Sequence, residues 1–150
     1  MLFHDCKFQN DELLTRYLSL GLNQVVKHWE GMGPDVGTLV PSSRKKGIRS
    51  YHPAFHLFQR LQRHFGFWIA ASPQKLSQEK QSEQSFENRF FHAKKAFEIP
   101  KSDRSFGGLH VLIVDDIFTT GASLNELSRM YLERGASRVS CVVLMLSEGD

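Results

Sequence analysis

The chain is poor in cysteine. It has two, Cys6 and Cys141, with no Cys-x-x-Cys pair, which excludes a disulfide framework and a four-ligand zinc site built on cysteine pairs. It also lacks any uninterrupted apolar run near the roughly 20 residues that a membrane-crossing helix needs. No basic stretch followed by an apolar core stands at the N-terminus, so a secretory signal is not expected. No internal repeat is visible, and neither sign of charge dominates. Lys and Arg number 19 against 16 Asp and Glu, for a net charge of +3 and a pI of about 9.0. That mild excess suits a phosphorylated small molecule or a weak nucleic-acid contact, although a slightly basic solvated surface accounts for it more simply. What is present is 150 residues, of which 41% are hydrophobic. This is the size of one domain, with enough apolar material for a core. The expectation is a single soluble, cytoplasmic domain over residues 1–150.

The order of the elements is legible from periodicity. Asn10 or Asp11 can cap a helix with Leu13, Leu14, Tyr17, Leu18 and Leu20 on one face, stopped by Gly21. A second helical segment runs from Leu22 to Trp29. Residues 1–35 thus read as a helical lead-in or hood. Val36 to Val40 reads as a buried strand ended by Pro41. Beyond it, Ser42, Ser43, Arg44, Lys45, Lys46, Gly47, Ile48 and Arg49 put hydroxyls and then cations at a strand end, a pattern suited to contacting phosphate or to a solvated turn. Pro53 opens a helix with Ala54, Phe55, Leu57, Phe58, Leu61 and Phe65 inward and Arg60, Arg63 and His64 outward. Phe67 to Ala71 is a second short buried strand. Residues 72–87 are rich in Gln, Ser, Glu and Lys and read as a mobile loop. Arg89, His92, Lys94 and Lys95 follow, interleaved with Phe90, Phe91 and Phe97, whose rings are expected to pack inward.

The most informative stretch is Val111-Leu-Ile-Val-Asp115-Asp116-Ile-Phe-Thr119-Thr120-Gly121-Ala122-Ser123. Val111 to Val114 has the all-apolar character of a central parallel strand, and ligands in open α/β sheets sit beyond such carboxyl ends. Asp115 and Asp116 fall there, and as neighbours on a strand they point to different sides. They can accept hydrogen bonds from vicinal hydroxyls or help hold a divalent cation. Thr119 to Ser123 then offer hydroxyls and backbone N–H groups at a helix start, where Gly121 admits close approach and the helix dipole favours an anion. Ser123 and Glu126 also have the spacing of a capping box, which accounts for some of the hydroxyls. The helix carries Leu124, Leu127, Met130 and Tyr131 on one face and ends at Gly135. Arg138 to Leu146 is a last buried strand, with Cys141 a small core residue. Strand, helix and strand make a right-handed unit, and the chain reads as α/β: a Rossmann-like, mainly parallel sheet flanked by helices.

The stretch Val111 to Ser123 closely resembles the phosphoribosyl-diphosphate-binding motif of type I phosphoribosyltransferases. The resemblance implies their fold, with a small variable hood. It further implies that Asp115 and Asp116 face the ribose hydroxyls, that Thr119, Thr120, Gly121, Ala122 and Ser123 hold the 5′-phosphate, and that magnesium arrives with the diphosphate. The wider chain is similar to the competence protein F (ComF) family. Leu39 to Arg49 resembles that family's Pro-Val-Pro strand and basic loop, Gln81, Arg89 and Ala96-Phe97 fall where it has a glutamine, an arginine and an Ala-Phe pair, and Lys7-Phe8 resembles the start of its first segment. The family's amino-terminal zinc-binding module is absent. Leu39 replaces the first proline, Arg49-Ser-Tyr-His52 stands for Arg-Gly-aromatic-Asn, and His92 stands for another asparagine.

The resemblance implies transfer of a phosphoribosyl group from phosphoribosyl diphosphate to an acceptor the sequence does not name. Departure of diphosphate would be helped by cations and N–H groups. Ser42, Ser43 and Arg44 are the candidates for that, with Arg49 and Arg89 as closing cations. Purine-salvage relatives carry an aspartate base where this chain has Thr119, so a purine acceptor of that type is disfavoured and no catalytic base is named. The alternative is a non-catalytic accessory protein of competence or DNA uptake, with single-stranded DNA or competence proteins as partners of the basic segments at 44–49 and 89–95. A phospho-accepting receiver domain begins similarly, but no aspartate stands between Asp116 and the terminal Asp150.

Overall fold

A computed structural model of the chain describes residues 27, 29, 31–41, 53–76, 96–101 and 105–147. In chain order its elements are β1 (Val36–Leu39), α1 (Pro53–Phe65), β2 (Trp68–Ile69), β3 (Gln74–Lys75), β4 (Phe97–Glu98), β5 (His110–Phe118), α2 (Ala122–Glu133) and β6 (Arg138–Leu146). Four strands form one sheet in the order β2-β1-β5-β6. Every neighbouring pair in it is parallel, with Val36 opposite Trp68 and Val111, and His110 opposite Arg138. The expected α/β architecture with a mainly parallel sheet is what forms.

Two apolar layers hold it together. Val111, Leu112, Ile113 and Val114 are all fully buried, as a central strand covered on both faces must be. Alternation along the strand sends Val111 and Ile113 to one side, where they meet Leu124, Leu127 and Tyr131 of α2. Leu112 and Val114 go to the other side, against Ala54, Leu57, Phe58 and Leu61 of α1. The second layer also contains Trp29 and Phe67, whose ring lies edge-on to Phe58 at 5.4 Å. Gly37 makes that approach feasible: a Cβ there would lie 2.2 Å from Phe67 Cε2. In the first layer, burial pushes the Tyr131 phenol above its ordinary value, with the Thr38 hydroxyl pulling the other way. The two hydroxyls come near without reaching hydrogen-bond geometry, and neither has another partner among the described residues.

Several sequence expectations need correction. β5 does not stop at its acids but runs on to Phe118, because β6 continues beside it: Asp115 is opposite Val143 and Phe118 opposite Leu146. The strand expected over Phe67 to Ala71 is the two-residue edge strand β2, with Ile69 60% exposed. Phe55 faces outward from α1, and Cys141 is exposed on β6, which is the other edge of the sheet and so is covered less completely than a central strand. The segment 72–87 opens as β3, which pairs antiparallel with β4, Gln74 opposite Glu98 and Lys75 opposite Phe97. Leu76 N–H donates to Ala96 O at 2.9 Å across the same ribbon. Arg134 then ties the outgoing arm to the end of α2 through Ile99 O at 2.7 Å and Pro100 O at 3.3 Å. The remainder of 72–87, residues 1–26 of the expected hood and the basic aromatic segment 89–95 lie outside the described residues.

At the N-terminal end of β5, His110 is buried among polar groups. Its N–H donates to Asp35 Oδ2 at 2.8 Å. Arg138 Nη2 reaches its Nδ1 at 3.0 Å, and Nε2 lies 2.9 Å from Ser140 Oγ. Nδ1 also lies 3.4 Å from Gly33 O. An arginine can only donate, so in the closer contact, that with Arg138, Nδ1 accepts, which leaves the neutral ring's proton on Nε2, facing the serine. Burial, and then the Arg138 charge, hold the imidazole below its usual value, against smaller opposing pulls from the Gly33 and Met32 carbonyls and Asp35.

Candidate functional site

The other end of β5 carries the acids. Asp116 is buried and Asp115 half-buried. Asp115 shares the strand face of Val111 and Ile113, and Asp116 that of Leu112 and Val114, so the pair straddles the sheet as expected. Asp116 N–H donates to Asp115 Oδ1 at 2.8 Å. On the α2 side, Cys141 Sγ lies 3.6 Å from Ser128 Oγ. Desolvation, then the Asp115 charge, push that thiol above its ordinary value, against the Ser128 hydroxyl.

Four residues on, the chain turns into α2. Thr119 and Thr120 are exposed. Gly121 is the N-cap, left-handed at φ 72°, and its carbonyl accepts the Asn125 N–H at 2.8 Å. The capping box expected from Ser123 and Glu126 does not form. Because Gly121 takes the N-cap position, Ser123 is already inside the helix, and the Glu126 carboxylate is held by Arg129 instead, through Nε at 2.9 Å and Nη2 at 2.7 Å. Those contacts, with Glu133 next, raise the Arg129 guanidinium above its ordinary value. Among the described residues the N-cap makes no side-chain cap hydrogen bond and no acid stands in the first turn, while Ala122 N–H makes a long 3.4 Å contact to Thr120 Oγ1. The positive end of the helix dipole and the N–H groups of the first turn give this end the character of an anion site.

One further residue belongs to this end and was missed in the sequence. The ring of Phe118 covers Gly121, since a Cβ at Gly121 would stand 2.7 Å from both Cε2 and Cζ. A glycine three residues after an aromatic was the available signal.

Asp115, Asp116, Thr119, Thr120, Gly121, Ala122 and Ser123 are thus brought to one edge of the sheet. Ser42, Ser43, Arg44, Arg49 and Arg89 lie outside the described residues. The strand leading to the first three is placed: Val40 N–H donates to Val114 O at 3.0 Å, so the chain leaves β1 beside the acidic pair. Among the described residues no group of three or more His, Cys, Asp or Glu side chains is arranged to hold a metal ion, and no helix is long and apolar enough to cross a membrane.

The acidic pair at the end of β5 and the start of α2 both lie within a stretch that matches a known family. Residues 49–149 match the phosphoribosyl transferase domain family. The chain belongs to that family. Among curated protein sequences none matches it. Solved structures share the fold at low identity. An adenine phosphoribosyltransferase is 17% identical with a TM-score of 0.61, covering 93% of this chain and 73% of that one. A Trypanosoma cruzi hypoxanthine phosphoribosyltransferase is 17% identical with a TM-score of 0.58, covering 90% and 74%. A purine phosphoribosyltransferase from Pyrococcus horikoshii Ot3 is 16% identical with a TM-score of 0.54, covering 87% and 72%. Against other hypoxanthine enzymes the chain spans 66% and 62% of their length. The phosphoribosyl transferase fold is therefore shared with enzymes that are longer than this chain.

Proposed function

We propose that this domain binds phosphoribosyl diphosphate with magnesium at the β5–α2 end and transfers the phosphoribosyl group to an acceptor. The observation that carries the reading is the succession, within nine residues from Asp115 to Ser123, of two carboxylates on opposite strand faces and a helix start with no side-chain cap. In this proposal Asp115 and Asp116 accept hydrogen bonds from the vicinal ribose hydroxyls. The N–H groups at Gly121, Ala122 and Ser123 and the Thr119, Thr120 and Ser123 hydroxyls donate to the 5′-phosphate. An anion at such a terminus gains about 0.3–1 kcal/mol from the dipole alone, and charge-assisted hydrogen bonds add about 1.5–3 kcal/mol each.

A magnesium ion carried by substrate phosphates takes one or two protein carboxylates, which the acidic pair can supply, and when bound it would neutralise charge on the diphosphate. Ser42, Ser43 and Arg44 are proposed to cradle the departing diphosphate, with Arg49 and Arg89 as closing cations. A threonine hydroxyl does not ionise near neutral pH, so Thr119 is no general base, and no catalytic base is assigned. The resemblance to competence protein F is the narrower form of this proposal, carried by Leu39 to Arg49 and Gln81 to Phe97.

Calorimetry with phosphoribosyl diphosphate and magnesium, followed by a diphosphate-release assay across candidate acceptors, tests it. Binding with release supports the transferase. Binding without release for any acceptor, joined to a salt-dependent affinity for single-stranded DNA, would assign the accessory role instead. Absence of binding would refute both.

A further inference from the structure

We infer that Phe118 is a positioning residue for the anion-binding turn: its ring selects the left-handed state of Gly121 through which the helix presents its free N–H groups. The inference rests on the reading of that turn as a phosphate site and adds to it a residue that touches no substrate.

Glycine populates positive and negative φ about equally, so φ 72° at Gly121 has to be chosen by its surroundings. The turn itself supplies little. Thr119 and Thr120 are exposed, and the contact from Ala122 N–H to Thr120 Oγ1 is 3.4 Å long. Phe118, by contrast, is fixed at both ends. Its backbone is held on the sheet, opposite Leu146 and accepting the Ser147 N–H at 2.8 Å. Its ring edge, Cε2 and Cζ, fills the space where a Cβ of Gly121 would stand. Phe118 is 37% exposed, so it is not simply core filling, and its ring edge lies against the turn. A glycine flipped out of the left-handed region would pull its backbone off this ring and carry the following N–H groups with it.

The functional consequence follows from population. When only a fraction of molecules holds the binding-competent turn, the apparent dissociation constant rises by the reciprocal of that fraction. Removing the ring should therefore weaken phosphate binding without removing any group that contacts phosphate.

The test uses the full chain with Phe118→Ala, Phe118→Leu and Phe118→Tyr. Backbone ¹⁵N order parameters are read at 119–123 and, as reference, at 126–132, and affinity is read with ribose 5-phosphate as the probe. In Phe118→Ala the order parameters at 119–123 should fall from the ~0.85 of rigid backbone toward ~0.6, with the reference unchanged. Ribose 5-phosphate should bind about five- to tenfold more weakly, the shift expected for a competent fraction near one tenth to one fifth. Phe118→Tyr, which keeps the ring, should restore both, and Phe118→Leu should fall between; it also serves as the read-out should the alanine variant not fold. Unchanged order parameters at 119–123 in the ring-less variants overturn the inference, as does a uniform drop that includes 126–132. If the turn loosens selectively while the unmodified chain binds no ribose 5-phosphate, the positioning role of Phe118 stands and the phosphate reading falls.

Discussion

Replacing Gly121 by alanine separates two costs that coincide at that position. At φ 72° an L-residue loses about 1–2 kcal/mol, partly offset by about 0.4–1 kcal/mol because alanine has less freedom in the unfolded chain. The new Cβ would also stand 2.7 Å from two atoms of the Phe118 ring. Overpacking of this kind costs about 1–3 kcal/mol, and the side chain of a residue 37% exposed can give way, which favours the lower end of that range. The net expectation for Gly121→Ala is a loss near 2 kcal/mol, by the same strain and overpacking magnitudes. Gly66 is the internal control, with φ 69° and nothing within 4 Å of its would-be Cβ. Gly66→Ala should therefore cost only the backbone part, about 1 kcal/mol. Urea unfolding followed by circular dichroism reads both, and midpoints shift at constant slope if stability alone changes. Adding Phe118→Ala to Gly121→Ala closes a double-mutant cycle, and a positive coupling isolates the ring contact. Equal losses in Gly121→Ala and Gly66→Ala, with no coupling to Phe118, would refute the argument that the ring occupies this space.

Three further outcomes are expected. Asp115→Asn and Asp116→Asn should each weaken phosphoribosyl diphosphate by tenfold or more in calorimetry, about 1.4 kcal/mol, and a wild-type affinity in both would remove the acidic pair from the site. The folded chain holds His110 below its ordinary value of 6.5, so below that pH the unfolded chain binds the extra proton. The stability that depends on a neutral His110 is thus complete above about 6.5 and is lost as pH falls toward the lowered folded value. His110→Gln, which keeps a donor and an acceptor, should flatten this part of the urea-midpoint profile. Joint replacement Thr38→Val with Tyr131→Phe removes two buried hydroxyls that lack hydrogen-bond partners among the described residues and should be neutral or stabilising by about 1 kcal/mol in thermal or urea unfolding; a loss above that size would mean the two hydroxyls do bond to each other.

The parallel sheet was readable because central strands must be apolar on both faces, and Val111 to Val114 announces that directly. The candidate site was readable because carboxylates rarely close such a run without a task, and the pair does straddle the end of β5. What misled was local. Ser123 and Glu126 have capping-box spacing, yet helix entry was decided by the φ that only glycine adopts easily, two residues earlier. Phe55 sits in the helical stripe with Phe58 but faces solvent, since a 13-residue helix on one sheet face buries fewer positions than its apolar residues offer. The extension of β5 to Phe118 came from its pairing with β6, a long-range effect that no window of sequence contains. Phe118 itself reads as one more apolar letter until its ring is found above a glycine.

The ribbon of β3 and β4 has a consequence for how this protein can change over evolutionary time. The chain departs at Leu76 and returns at Ala96 across one hydrogen bond, and Arg134 rivets the return to α2. The two ends of the interval 77–95 are thereby held side by side on the β3–β4 ribbon. For a segment with fixed ends, doubling the length adds only about 0.6 kcal/mol of closure entropy. On closure entropy alone, a change of length between Leu76 and Ala96 therefore costs the frame of β5 and α2 little, so a lineage of such proteins could vary in length there.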